Sequence, residues 1–145
     1  MLQTVLLTFA LVVASVFVHY ELFRAASNAM PRMAMPPRYR LLVVIGVAFV
    51  AHIIEICLFS LGYWLMEFGW GLGAIVGPIE GDWMDFFYFS AASYTTLGMG
   101  DLLPTGEMRI LASVESLAGL VLIGWSASFT YLAMAEFWNM HEPRE

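Results

Sequence analysis

The stretch Tyr94-Thr95-Thr96-Leu97-Gly98-Met99-Gly100-Asp101 lies between two apolar runs, Leu41 to Met66 and Met108 to Trp138, each long enough to cross a membrane. Irregular backbone at membrane depth is tolerated only where protein buries it or a watery cavity meets it, because lipid offers no hydrogen-bond partner. The fold therefore turns on how this loop is held. Just ahead of it, Asp82 followed three residues later by Asp85 has the form of a capping box, which predicts a helix over residues 83–94 through Phe86, Phe87, Tyr88 and Phe89. At about 18 Å such a helix is too short to span a hydrocarbon core. It is expected to be re-entrant, entering from one face, breaking at the 95–101 loop and returning to the same face.

Composition places this loop in a membrane. Hydrophobic residues make up 61% of the chain and charged ones 12%, with a mean hydropathy of +0.78, far more apolar surface than one small soluble core can hide. The formal charge is -6, Lys is absent and the six basic residues are all Arg, so no basic face exists for nucleic acid. Cys57 sits inside an apolar run and reads as a small buried hydrophobe. There is no nucleophile beside a base and no paired metal motif, so neither an enzyme nor a cofactor is expected.

Working outward, residues 2–20 are apolar apart from Gln3, Thr4, Thr8, Ser15 and His19, and the run continues to Arg24 as a first transmembrane helix. A cleaved signal peptide is the rival, since Ser27-Asn28-Ala29 is a small-x-small site, but no positive region precedes the apolar run, and a retained helix is expected. Residues 24–40 hold Arg24, Arg32, Arg38 and Arg40 with Pro31, Pro36 and Pro37, which predicts a helix-breaking cytoplasmic loop. The expected domains are then 1–40, the first helix and its loop, and 41–139, made of an outer helix 41–66, an acidic external loop 67–82, the short helix 83–94, the loop 95–101 and an inner helix 108–138. Residues 140–145 form a short tail. This is an all-α membrane protein with three transmembrane helices plus a re-entrant helix and loop, its N-terminus outside and its C-terminus cytoplasmic. Tyr20 and Trp138 suit interfacial anchors, and small size with a minimal tail suggests a prokaryotic inner (plasma) membrane.

A cation that sheds its water inside a membrane needs a ring of oxygens aimed at one axis. Consecutive carbonyls supply one only if alternate residues leave the usual backbone regions, and Gly98 and Gly100 at alternate positions reach positive φ without steric penalty. The Thr96 hydroxyl adds one more oxygen. These residues carry a resemblance: Thr95 to Asp101 resembles the potassium-channel signature Thr-Thr-Val-Gly-Tyr-Gly-Asp, with Leu97 for Val and Met99 for Tyr. The likeness extends through the preceding aromatic helix, the Leu102-Leu103-Pro104 turn and the inner helix, over residues 41–138, with the first helix as an addition.

The resemblance implies a homotetramer that conducts K+ through a selectivity filter of Thr96, Leu97, Gly98, Met99 and Gly100, with Thr95, Asp101 and Phe89 supporting its mouth. It also implies a gating hinge at Gly119 or Gly124. Leu120, Ile123, Ala127 and Tyr131 recur at helical spacing below it as cavity lining, with Trp125 and Phe129 facing neighbouring helices or lipid. The departures matter. A thioether at Met99 is at best a weak acceptor where the family has an aromatic hydroxyl, and Phe89 stands where a Trp partner is often found. Ala92 replaces an acidic residue, so Asp101 lacks that partner. A filter less tightly braced than the family norm is expected, which leaves three readings: a K+ channel, a weakly selective monovalent cation channel, and a non-conducting membrane scaffold or subunit.

Around the loop, Glu67, Glu80, Asp82, Asp85, Asp101 and Glu107 stand against Arg109 alone and would concentrate cations, although Asp82 and Asp85 are equally explained as helix caps. Within the spans, His52 and Glu55 share one helical face and Glu115 lies on the inner helix. Intramembrane ionisable groups are functional hypotheses by default. These three read as an interhelical hydrogen-bonded clamp or as a pH sensor, and do not form a recognised metal motif. No span carries the repeated Arg of a voltage sensor. The expected partners are other copies of the chain and membrane lipid, with further subunits left open.

Overall fold

The computed structural model describes residues 1–32, 34–78 and 80–139, so the expectations for the Trp138 ring and the 140–145 tail lie outside the described residues. Its elements are α1 (Leu2–Ala29), α2 (Pro37–Trp64), the two-residue strand β1 (Ile75–Val76), α3 (Trp83–Tyr94), the strand β2 (Leu103–Pro104) and α4 (Met108–Asn139). Three helical stretches, Leu2–Arg32, Tyr39–Gly69 and Met108–Glu136, are long and apolar enough to cross a membrane, and α3 is not among them. The fold is an all-α membrane protein.

The segment expected to be a loop over residues 24–40 is mostly helical. α1 runs on to Ala29 and closes in a 3-10 turn, Met30–Arg32, while α2 starts four residues earlier than expected, at Pro37. The prolines stand where helices tolerate them. Pro31 lies in the terminal turn and Pro37 at the first position of α2, whose N–H would have no partner in any case.

The start of α3 is fixed by its two aspartates. Asp82 accepts the N–H of Met84 at 2.9 Å and of Asp85 at 3.2 Å, and Asp85 in return accepts from Glu80, Gly81 and Asp82. The preceding loop is more than an acidic surface. α2 widens into a π turn over Leu65–Gly69, and β1 then pairs antiparallel with β2, Ile75 opposite Pro104 and Val76 opposite Leu103. Thr105 clasps Ala74, its hydroxyl oxygen accepting the Ala74 N–H and its own N–H donating to the Ala74 carbonyl, both at 2.9 Å. The chain leaving the 95–101 loop is thereby tied to the segment leaving α2.

α1 packs on α2 and α4 through one face, whose buried residues are Thr4, Thr8, Leu11, Ser15, His19, Phe23 and Ala26. Its N-terminal end meets the start of α4: the Met1 ammonium lies 2.6 Å from Glu107 and the Thr4 hydroxyl donates to the same carboxylate. Its C-terminal end meets the far part of α4, where the Phe23 and Phe129 rings are 4.8 Å apart. Two apolar clusters result, one around Phe59, Tyr63, Phe89 and Leu111 and a smaller one around Phe23, Val44, Ala51 and Ala133.

α4 is continuous through Gly119 and Gly124. A Cβ on Gly119 would collide with the Tyr94 carbonyl oxygen, whereas one on Gly124 would meet nothing within 4 Å. Gly119 is therefore a contact at which α4 passes the end of α3, and beside it the Ser116 hydroxyl donates to the Ser93 carbonyl at 2.8 Å. Gly119→Ala is expected to lower the thermal unfolding midpoint in detergent, by about 1–3 kcal/mol of overpacking, while Gly124→Ala leaves it unchanged or raises it. Equal midpoints for the two variants would contradict this packing.

The ammonium and hydroxyl donors hold the Glu107 carboxyl below its ordinary value. Its stabilising contribution is complete above the ordinary carboxylate range and is lost as pH falls through the lowered folded value. Acidification is thus expected to free the N-terminal end of α1, read as faster hydrogen exchange over residues 5–10 relative to α4.

Candidate functional site

The site is built on the end of α3. Thr95 N–H still bonds the Ala91 carbonyl at 3.1 Å and Thr96 N–H the Ser93 carbonyl at 3.0 Å, after which the Gly98 N–H reaches back to the Ala92 carbonyl at 3.1 Å. Between these anchors the backbone alternates. Thr96, Gly98 and Gly100 have φ of 58°, 52° and 82°, and Thr96 is the only residue other than glycine with positive φ among the described residues. In an ordinary strand successive carbonyls point to opposite sides, whereas alternating handedness turns them to one side. A side chain held in the left-handed region costs of order 1–3 kcal/mol and persists only where its surroundings impose it. That strain sits on Thr96, at the base of the loop.

All residues from Thr95 to Asp101 are exposed in the single chain, Leu97 at 63% and Met99 at 61%. Phe89 lies behind them, 5% exposed and edge-on to Tyr63 at 5.0 Å. At the outer end Asp101 has a partner that the sequence did not disclose: the Tyr88 hydroxyl donates to it at 2.9 Å, and this bond raises the Tyr88 phenol above its ordinary value. Arg109 is occupied with the Pro104 carbonyl at 3.3 Å.

His52, Glu55 and Glu115 do not meet as one cluster. They belong to two networks, each closed by α3. In the outer one, buried Glu115 accepts from the Ser90 hydroxyl at 2.6 Å and from the Tyr63 hydroxyl, and Ser90 also lies 2.9 Å from the Ile56 carbonyl. In the inner one, buried Glu55 faces His19 Nδ1 at 2.9 Å and His52 Nδ1 at 3.1 Å and accepts from the Tyr94 hydroxyl. Ser126 Oγ completes this layer, 3.3 Å from His19 Nε2 and 3.0 Å from His52 Nε2. All four helices contribute, with His19 from α1, His52 and Glu55 from α2, Tyr94 from α3 and Ser126 from α4. Tyr94 is the residue directly before the loop.

The sequence named neither His19, Tyr94 nor Ser126 as members of this layer. A signal for His19 was present: Thr4, Thr8, Ser15 and His19 are spaced by four, seven and four, one stripe of a helix. Leu120, Ile123, Ala127 and Tyr131 are all exposed in the single chain, and Ala127 and Tyr131 border a groove between α2 and α4. Trp125 and Phe129 turn instead to α1, Trp125 lying 5.1 Å from the His19 ring.

No curated protein and no solved structure matches the chain. A family model described as an ion channel matches residues 42–136, from the first turns of α2 almost to the end of α4, and thus includes α3 and the loop. The match spans more than half of the chain, and the chain belongs to that ion channel family.

Proposed function

We propose that the protein is a homotetrameric channel that conducts K+ passively through the backbone carbonyls of Thr96, Leu97, Gly98, Met99 and Gly100. The observation that carries this reading is the alternating positive φ at Thr96, Gly98 and Gly100 in a loop seated on the end of a short helix between two spans. Four copies around one axis would set four such carbonyl rows face to face, with K+ as the cargo of the site rather than a resident cofactor. Thr95, Asp101 and Phe89 support the mouth, and Tyr88 braces Asp101 in place of the missing acidic partner. The exposed side chains Leu120, Ile123, Ala127 and Tyr131 suit the wall of a cavity below the loop. With Gly119 engaged by Tyr94, Gly124 is the freer of the two glycines to act as a hinge. The Arg residues of 24–40 orient this end of the bundle toward the cytoplasm of a prokaryotic inner membrane, with the loop on the outer side.

The second reading, a weakly selective monovalent cation channel, is favoured by Met99 and Phe89. Neither side chain has a hydroxyl or N–H with which to fix the ring diameter. Bi-ionic reversal potentials in planar bilayers test both. A K+ over Na+ permeability ratio above about ten, equivalent to 1.4 kcal/mol, supports the first. A ratio near unity that rises in Met99→Tyr supports the second. A protein that is monomeric in mild detergent and silent in bilayers would sink both and leave the scaffold reading.

A further inference from the structure

The inner polar layer has the chemistry of a metal site. We propose that His19, His52 and Glu55 bind a divalent transition metal of the zinc class between α1 and α2, beneath the loop. Three observations carry this. The first is convergence. Both Nδ1 atoms face one carboxylate, at 2.9 and 3.1 Å, and one ligand atom from each of the three residues lies within 4.8 Å of the other two. A tetrahedral zinc ion with bonds of about 2.0–2.1 Å sets its ligands about 3.4 Å apart, so small side-chain adjustments on fixed helices suffice.

The second is a shared outer partner. Each neutral imidazole has one N–H, and both Nε2 atoms face the single oxygen of Ser126, at 3.3 and 3.0 Å. Without a metal the mixed tautomers close the layer, His19 Nδ1–H donating to Glu55, Ser126 to His19 Nε2 and His52 Nε2–H to Ser126, with the Tyr94 hydroxyl 2.9 Å from His52 Nδ1. With both hydrogens on Nε2, the two lone pairs of Ser126 accept both, and both Nδ1 lone pairs turn toward Glu55, open to a metal ion. A metal ion at that point satisfies all three groups. Ser126 then holds both rings in the ligating tautomer, the role that outer partners of metal-bound histidines play. Two nitrogens and a carboxylate, with the Tyr94 phenol beside them, suit zinc, cobalt or nickel. Magnesium and calcium prefer oxygen alone.

The third is enclosure with a way in. His19 and Glu55 are fully buried, and the His19 ring stacks on Phe23 at 4.7 Å. The His52 side chain keeps 18% exposure, and with Ser126 it borders the α2–α4 groove of about 390 Å³. An ion arriving along that groove meets His52 first. Once bound, it ties α1 to α2 and, through the Tyr94 hydroxyl on Glu55, to the residue before the loop.

The test uses the full chain purified in detergent and is independent of conduction. After loading with zinc and desalting, elemental analysis is expected to give about one ion per chain, falling at least about tenfold in occupancy in His19→Gln and in Glu55→Gln. Zinc should raise the melting midpoint of the wild type and a chelator should reverse the shift. Cobalt loaded into the wild-type protein should give the visible absorption bands of a tetrahedral nitrogen and oxygen site, a readout that needs no variant to fold. Wild-type protein without bound zinc, without a zinc-dependent midpoint and without cobalt bands would overturn the proposal, leaving the layer as a hydrogen-bonded clamp. Full zinc occupancy retained in both variants would overturn it too, because the ion would then be held elsewhere.

Discussion

Lipid gives a polar group nothing to bond to, and every feature of the bundle around α3 answers that constraint. A helix of 12 residues that stops at membrane depth exposes carbonyls at its end and hydroxyls on its sides. Two buried carboxylates meet the hydroxyls. Glu115 reaches α3 from α4 at Ser90, and Glu55 reaches it from α2 at Tyr94. Each draws a further donor from a neighbouring helix, so that removing Glu115 leaves the Tyr63 hydroxyl without its partner and removing Glu55 does the same to His19 Nδ1, at about 1–3 kcal/mol for each buried group left unpaired. The positions of α2 and α4 about α3 are set by these polar ties as much as by apolar packing, which discriminates poorly between helix faces when lipid is as apolar as the core.

The same constraint gives α1 a definite place. Its buried face is a stripe of Thr4, Thr8, Ser15 and His19 interleaved with Leu11, Phe23 and Ala26, not the apolar stripe of a helix that merely anchors a chain. Thr8 returns its hydroxyl to its own helix, at the Thr4 carbonyl. The Thr4 hydroxyl donates to Glu107, just ahead of α4, and the His19 ring faces Glu55 on α2. A membrane helix that carries a buried histidine needs a partner for it, and Glu55 is that partner. The polar layer it enters lies between the two apolar clusters.

Much of this could be read from the residues, and the failures have physical causes. The bounds of α3 follow from a capping box and a glycine-bearing loop, signals contained within a few residues. The ends of α1 and α2 reach further than prolines alone suggest, because Pro31 and Pro37 occupy terminal turns that accept them. The pairing of β1 with β2 joins segments far apart in the chain and two residues long, too short for any alternation to show. His52, Glu55 and Glu115 were grouped because all three are ionisable and apolar runs surround them. Sequence gives the face of a helix but not its height against a neighbour. Glu115 meets α3 at Ser90 and Glu55 meets it at Tyr94, four residues or about 6 Å further along the helix, and that one turn separates the two networks. His19 was noted only as an exception in an apolar run; its spacing from Ser15, Thr8 and Thr4 carried more information than its identity.

The two networks do different work on the 95–101 loop. Glu115 holds α3 one turn before its end, through Ser90, and a disturbance there must pass along a helix to reach Thr96. Glu55 holds Tyr94 itself, next to Thr95 and two residues from the strained φ of Thr96. The Tyr94 carbonyl is at the same time pressed against Gly119, where no side chain leaves room to shift. Tyr94 is thus fixed at both its hydroxyl and its backbone, and whatever alters the layer of His19, His52 and Glu55 acts on the base of the loop through a short covalent path. If the loop acts as the proposed carbonyl filter, it needs such a rigid base more than a rigid rim. With Met99 unable to brace the rim by hydrogen bonds, the base beneath Thr96 is where this chain concentrates its order.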